Sequence, residues 1–218
     1  MTFAVVLVGG AVPERHLLSG LEHAEFVIAA DGGVRIARTH GLPINSVVGD
    51  LDSATEGDLA WAGAEGAEIV EFPEDKDRTD LELALDRAEA TGVDKIVAIG
   101  VDGGRLDHEL GNWAALSAMR SALIEVHAAH GTATILHGAG HRRTELRGSN
   151  GDVVSLLPYA GDAGGVTTEG LRWPLSRATL SATGTRGISN ELVGPSASVE
   201  IEFGILLVVR PRVPALDD

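Results

Sequence analysis

Thr79-Asp80-Leu81-Glu82-Leu83-Ala84-Leu85-Asp86-Arg87-Ala88-Glu89-Ala90, followed shortly by Lys95-Ile96-Val97-Ala98-Ile99, decides the fold class. Leu81, Ala84, Leu85 and Ala88 recur at i, i+3, i+4 and i+7, the spacing of one apolar helix face. Thr79 and Glu82 make the Thr-x-x-Glu signature of a capping box, with Thr79 as N-cap and Glu82 three residues on. The short apolar run at 95–99 reads as a strand. Working outward, the same alternation continues: strands are expected at 3–8, 25–29, 46–48 and 67–72, and helices at 34–40, 56–64 and 108–121. Such alternation indicates an α/β unit with a mainly parallel sheet.

Beyond residue 130 the texture changes. Residues 132–136 read as a last strand of that sheet, and Gly138-Ala139-Gly140 as a linker. From residue 141 onward no helical period is found. Short runs at 153–157, 165–168, 178–182, 198–203 and 205–209 are punctuated by Gly and Pro, which suggests an all-β sandwich or roll. The expected organisation is therefore an α/β domain at 1–139 and an all-β sandwich domain at 140–218.

Composition narrows the function. The chain has 218 residues, 44% of them apolar, a net charge of −15 and no Cys. Disulfides, thiolate metal sites and cysteine nucleophiles are excluded. So acidic a protein is a poor partner for nucleic acid, whose phosphates call for a basic surface. A polyphosphate ligand would need a divalent cation or locally placed basic groups. The only two lysines are Lys76 and Lys95, and there is no Gly-x-x-x-x-Gly-Lys-Ser/Thr loop. The apolar run at 4–8 is too short for a signal peptide or a membrane span, so a cytoplasmic location is expected.

Three acidic loops follow strand-like runs. In Val48-Gly49-Asp50-Leu51-Asp52-Ser53, the two acids at i and i+2 point the same way from an extended segment. Carboxylates of this kind suit a hard cation. An ordinary turn, with Ser53 capping the next helix, is the plainer reading of this loop alone. Glu74-Asp75-Lys76-Asp77-Arg78-Thr79-Asp80 is either a solvated charged loop with helix caps or a place where Asp80 meets a metal and Lys76 a phosphate. In Gly100-Val101-Asp102-Gly103-Gly104-Arg105-Leu106-Asp107-His108 the adjacent glycines permit close backbone approach, and Arg105 suits bidentate phosphate contact. Asp107 has the alternative role of helix N-cap. Ala30-Asp31-Gly32-Gly33 repeats the theme. In the β region, Trp173 is either core or an exposed stacking face, and Ser189-Asn190 either a turn or a polar contact to a heteroaromatic ligand.

Taken in order, Ala-Asp-Gly-Gly, Gly-Asp-x-Asp-Ser, Asp-x-Asp-x-Thr-Asp, and Gly-Gly-Arg-x-Asp-His with Asn112 one turn on resemble the thiamine pyrophosphokinase family. So do Val-Ser-Leu-Leu-Pro at 154–158, Gly-Leu-x-Trp-x-Leu at 170–175 and Ile-Ser-Asn at 188–190. The resemblance spans nearly the whole chain. It implies an N-terminal domain that binds ATP and Mg²⁺, a C-terminal β-sandwich that helps bind thiamine, and a homodimer with thiamine at the interface. It implies Asp50, Asp52 and Asp80 as metal ligands. Asp31, Lys76, Thr79, Arg105 and Asp107 would line the nucleotide and phosphate site, with Lys76 and Arg105 stabilising charge during transfer. Trp173, Ser189 and Asn190 would contact thiamine. The chain departs from many relatives at Val34-Arg35-Ile36, where they carry Asn-Arg. Three rivals stand beside this reading: a pterin pyrophosphokinase with a similar catalytic domain, an Asp-x-Asp phosphatase with Lys95 as its lysine, and a non-catalytic thiamine- or nucleotide-binding protein.

Overall fold

Residues 1–12 and 15–212 are described by a computed structural model, in which the chain divides into two compact units, Met1–Ala129 and His130–Asp218.

The first unit is built on six parallel strands: β1 (Phe3–Leu7), β2 (Phe26–Ala30), β3 (Ser46–Gly49), β4 (Glu68–Glu71), β5 (Lys95–Ile99) and β6 (Leu123–Ala128), in the order β6-β5-β1-β2-β3-β4. Val5 of β1 pairs across to Val27 on one side and Val97 on the other. The connections are α1 (Val34–His40), α2 (Glu56–Ala64), α3 (Asp80–Ala90) and α4 (Leu106–Ala118). Both faces of the central strands are covered, which is why they read as unbroken apolar runs. Val5, Leu7, Val27, Ala29, Val97 and Ile99 join one core with Val34, Ile36 and Ala37 of α1 and Ala62 of α2. The alternate residues Ala4, Val6, Ile28, Ile96 and Ala98 are buried too and point to the other face. There α3, packed over β1, β2 and β3, buries Leu81, Ala84, Leu85 and Ala88.

Helix α3 begins as its sequence dictates. The Thr79 hydroxyl accepts from the Glu82 N–H at 3.3 Å, and a Glu82 carboxylate oxygen accepts from the Thr79 N–H at 2.8 Å. The edge strand β4 is short and carries Glu68 and Glu71 outward, a charged edge that discourages pairing with other chains.

The second unit is all antiparallel. Its strands are β7 (Gly131–His137), β8 (Arg143–Arg147), β9 (Val153–Pro158), β10 (Ala163–Glu169), β11 (Ala178–Leu180), β12 (Asn190–Glu191), β13 (Ser196–Glu200) and β14 (Ile205–Pro211). Four pair as β12-β9-β14-β7 and four as β11-β10-β13-β8. Leu136, Val154, Leu156, Val166, Leu180, Val199, Ile201, Leu206 and Val208 supply its buried apolar side chains.

Several expectations need correction. Strand β6 went unread, because Glu125 and His127 interrupt the apolar residues Ile124 and Val126. Residues 132–136 do form a strand, β7, and it runs antiparallel to β14. The two compact units divide after Ala129, and the sequence reading places the boundary at 139/140. Strands β8 and β12 were also unread. Helix α4 starts at Leu106, with Arg105 and not Asp107 at the N-cap. Helix α2 is capped by Thr55, whose hydroxyl accepts from the Asp58 N–H at 3.1 Å; Ser53 has other work.

Candidate active site

Parallel strands deliver all their carboxyl ends to one edge of the sheet, and in open α/β sheets ligands sit at that edge, above all where the strand order reverses. Here it reverses between β1 and β5: the chain steps β1-β2-β3-β4 in one direction, then returns to β5 on the far side of β1. The loops leaving β1 and β5 interlock at this point. The Gly10 N–H donates to the Gly100 carbonyl at 2.9 Å and the Ala11 N–H to the Asp102 carbonyl at 2.6 Å. A Cβ on Gly10 would lie 2.2 Å from the Asp102 carbonyl oxygen, so only glycine fits. Two further bonds hold the β5 loop. The Asn112 side chain donates to the Val101 carbonyl at 2.9 Å, and Asp102 Oδ2 accepts from the Ala129 N–H at 3.1 Å. The Gly9-Gly10 turn was not among the expected site residues; its signal was a Gly-Gly pair directly after a strand.

The acids stand on the neighbouring strand ends. Asp31 follows β2 and is buried, with φ +44°; Asp50 and Asp52 follow β3 and flank Leu51, at φ +64°. Left-handed backbone at non-glycine residues is costly and tends to gather at functional loops. Gly49, at φ +152°, makes room for the cluster: a Cβ there would come within 2.9 Å of the Asp80 carboxyl carbon and 3.1 Å of Asp31 Cβ. The Ser53 N–H donates to Asp31 Oδ1 at 3.2 Å and the Ser53 hydroxyl to Asp52 Oδ1 at 2.9 Å. Asp31, Asp50 and Asp52 each offer an oxygen, and these oxygens lie within 4.8 Å of one another.

Lys76 completes the group. Its Nζ lies 3.0 Å from Asp50 Oδ2 and 3.1 Å from Asp80 Oδ1. The second contact is off the line of a good hydrogen bond, so the buried Asp80 Oδ1 receives none. The Lys76 hydrogen bond draws the Asp50 carboxyl below its ordinary range. Burial pushes the Asp80 carboxyl up, aided by the Asp50 and Asp31 charges and opposed by the Lys76 ammonium. For Lys76 itself, burial works to lower the pKa, and the hydrogen bond to Asp50 together with the nearby Asp80 charge more than reverses it. Two of the four carboxylates, Asp50 and Asp80, share one ammonium, and Asp31 and Asp52 stand beside Asp50. That surplus of negative charge, on hard oxygen donors, fits a magnesium ion. Asp31, expected as a nucleotide contact, stands with Asp50 and Asp52, whereas Asp80 joins through Lys76.

Arg105, the N-cap of α4, and Asp107 in its first turn are exposed and bound to each other at 2.6 Å. The Arg105 guanidinium holds the Asp107 carboxyl down at about 2. The Thr79 hydroxyl is spent on the α3 cap. Val34, which follows Asp31-Gly32-Gly33, is fully buried in the core.

In the second unit, Trp173 is 52% exposed, with the Arg172 guanidinium 4.9 Å from its ring centre and Arg172 tied to Glu191 at 2.8 Å. Asn190 is buried. Its Oδ1 accepts from the Trp173 N–H at 3.1 Å and its Nδ2 donates to the Trp173 carbonyl at 2.8 Å, so the amide clamps the Trp173 backbone. Ser189 has φ +60° and donates its N–H to the Ser155 hydroxyl at 3.0 Å. An open cavity of 460 Å³ in this unit, lined by His137, Tyr159, Asp162, Glu202 and Phe203, includes none of these residues.

Comparison with known proteins agrees with this division of the chain. Residues 17–128 match the family model "Thiamin pyrophosphokinase, catalytic domain", and residues 143–206 match "Thiamin pyrophosphokinase, vitamin B1 binding domain". Thiamine pyrophosphokinase from Bacillus subtilis is 29% identical over 190 residues, covering 87% of this chain and 88% of that protein. A crystal structure of the thiamine pyrophosphokinase from Bacillus subtilis superposes with a TM-score of 0.82 at 27% identity, covering 98% of this chain and 100% of that one. The thiamin pyrophosphokinase from Candida albicans shares the fold, with a TM-score of 0.77 at 14% identity over 96% of this chain and 89% of that one.

Proposed function

The chain belongs to the thiamine pyrophosphokinase family, and from that premise we propose that it transfers the pyrophosphoryl group of ATP to the hydroxyl of thiamine. The products are thiamine diphosphate and AMP. The thiamine hydroxyl attacks the β-phosphorus and AMP departs, so one P–O bond forms and one breaks. Such transfers rest on positioning and on neutralising charge. The observation that carries the reading is the gathering of Asp31, Asp50 and Asp52 at the carboxyl edge of the parallel sheet, with Lys76 bridging Asp50 to Asp80.

In this reading Asp31, Asp50 and Asp52 hold Mg²⁺, and Asp80 shares the same pocket. Magnesium bound there neutralises part of the polyphosphate charge. Lys76 and Arg105 meet phosphate oxygens, where a cation stabilises charge developing during transfer. The glycine turns after β1 and β5 let the polyphosphate approach the backbone closely. Trp173 offers its exposed indole to the cationic thiazolium and its pyrimidine partner, the kind of ligand an aromatic face attracts. We further propose a homodimer working in the cytoplasm, where ATP is at hand.

Two rivals lose ground. The match of residues 143–206 to a vitamin B1 binding domain favours thiamine over a pterin. The phosphatase reading relied on Lys95, which opens β5 at the amino edge of the sheet and is paired with Glu125 at 2.9 Å. Incubation with ATP, Mg²⁺ and thiamine, followed by chromatography of the nucleotides, tests the proposal: AMP and thiamine diphosphate should appear in equal amounts. ADP, or inorganic phosphate without AMP, would refute it.

Asn190 enters this reading as a positioning residue for Trp173. Asn190→Ala should raise the KM for thiamine about 10-fold, the worth of one to two hydrogen bonds, and leave the KM for ATP unchanged. Equal changes in both constants would show that the clamp does not act through the indole.

A further inference from the structure

We propose that Lys76 is an internal counter-ion with two seats. In the free protein it bridges Asp50 and Asp80, and when the metal–nucleotide pair enters it exchanges that seat for a phosphate oxygen, which couples metal binding to nucleotide binding. The inference rests on the functional reading above.

Three observations carry it. The ammonium sits between carboxylates from two different elements, 3.0 Å from Asp50 Oδ2 and 3.1 Å from Asp80 Oδ1, and all three side chains are mostly buried, at 15%, 16% and 22% exposure. It therefore holds one carboxylate, Asp50, of the group whose oxygens, with those of Asp31 and Asp52, lie within 4.8 Å of one another. Second, the acids are fixed on strand ends and a helix start, while Lys76 is carried by the β4–α3 connection, outside regular structure. A lysine is a point charge on a flexible stem, suited to changing partners where an arginine fork is not. Third, Asp80 Oδ1 is buried without a hydrogen bond, so its negative charge is met by proximity to the ammonium.

The electrostatics set the direction of exchange. Without Lys76, Asp31, Asp50, Asp52 and Asp80 would face one another uncompensated, and like charges at such range repel strongly. A divalent cation arriving alone must displace the ammonium from Asp50 and leave it without an equivalent partner. A cation arriving with a nucleotide brings phosphate oxygens that accept the released ammonium. Metal should therefore bind weakly alone and more tightly with nucleotide, and linkage requires the converse for the nucleotide.

The test uses Mn²⁺ binding by titration calorimetry, with and without the non-transferable analogue α,β-methylene-ATP. Lys76→Met should bind Mn²⁺ alone about 10-fold more tightly than the unaltered protein and lose most of the enhancement by nucleotide, within the usual span of such couplings. Unchanged or weaker Mn²⁺ binding by a folded Lys76→Met protein overturns the proposal. A second measurement needs no variant. Because the chain has two lysines, protein labelled with ¹³C-lysine gives two assignable side-chain signals. On adding Mg²⁺ and the analogue, the Lys76 signal should shift and the Lys95 signal stay. A stationary Lys76 signal at saturation overturns the proposal even if Lys76→Met does not fold. If the unaltered protein binds Mn²⁺ with the analogue but these signatures are absent, the exchange alone is wrong. If it binds neither and makes no AMP, the functional reading falls and the exchange with it.

Discussion

Asp50→Asn should lower kcat about 1,000-fold while the fold survives, the loss expected when one preorganised electrostatic group is removed from a reacting centre. The substitution keeps the shape of the side chain and removes its charge. In the proposed site Asp50 is both a metal ligand and one of the two carboxylates on Lys76, 3.0 Å from the ammonium. Breaking a mostly buried pair is usually costly, but the introduced amide oxygen still accepts from the ammonium, Lys76 keeps Asp80 at 3.1 Å, and relief of repulsion from the neighbouring carboxylates offsets the lost attraction, so stability should change by about 1 kcal/mol. Steady-state kinetics and urea denaturation check the two halves separately. Near-normal turnover would remove Asp50 from the chemistry, and a large loss of stability would mark it as structural.

Gly10→Ala is expected to damage both stability and turnover. The added methyl would sit 2.2 Å from the Asp102 carbonyl oxygen and 2.4 Å from that of Gly100. Neither neighbour is a flexible side-chain tip. Both belong to the backbone of the β5 loop, which is held by the Gly10 and Ala11 N–H groups on one side and by Asn112 on the other. The strand ends must separate, at a cost of about 2 kcal/mol or more by the usual scale of overpacking. A shift of that size where the polyphosphate approaches should also cost about 100-fold in kcat/KM. Urea denaturation and kinetics at saturating thiamine would measure the pair. A variant with unaltered midpoint and turnover would show that the β1 and β5 loops do not hold each other in register.

These two sites differ in how openly the sequence announced them. Helix α3 and strand β5 were legible because their signals are local: a capping box, an apolar face at helical spacing, an uninterrupted strand. Asp50 and Asp52 stood out only beside the second acidic cluster, because their loop alone reads as an ordinary turn. The antiparallel pairing of residues 132–136 was not legible, since its partner β14 lies far along the chain. Asp31 gave only an Asp-Gly-Gly turn; its place beside Asp50 and Asp52 follows from the parallel register of β2 and β3. Lys76 lay in a charged loop with two equal readings, and its seat between Asp50 and Asp80 is a tertiary fact. The hold of Asn190 on the Trp173 backbone was not legible, because that partner is distant in sequence. Gly9-Gly10 was passed over because its significance depends on where β5 ends.

The central claim is that acids from separate strand ends form one cation-and-polyphosphate site. Crystals grown with Mn²⁺ and α,β-methylene-ATP, measured for the anomalous signal of manganese, test it most directly. The account predicts a peak at coordination distance from the carboxylates of Asp31, Asp50 and Asp52, with the phosphates beside it along the glycine turns after β1 and β5. A peak elsewhere, or a nucleotide bound away from that edge of the sheet, would contradict it.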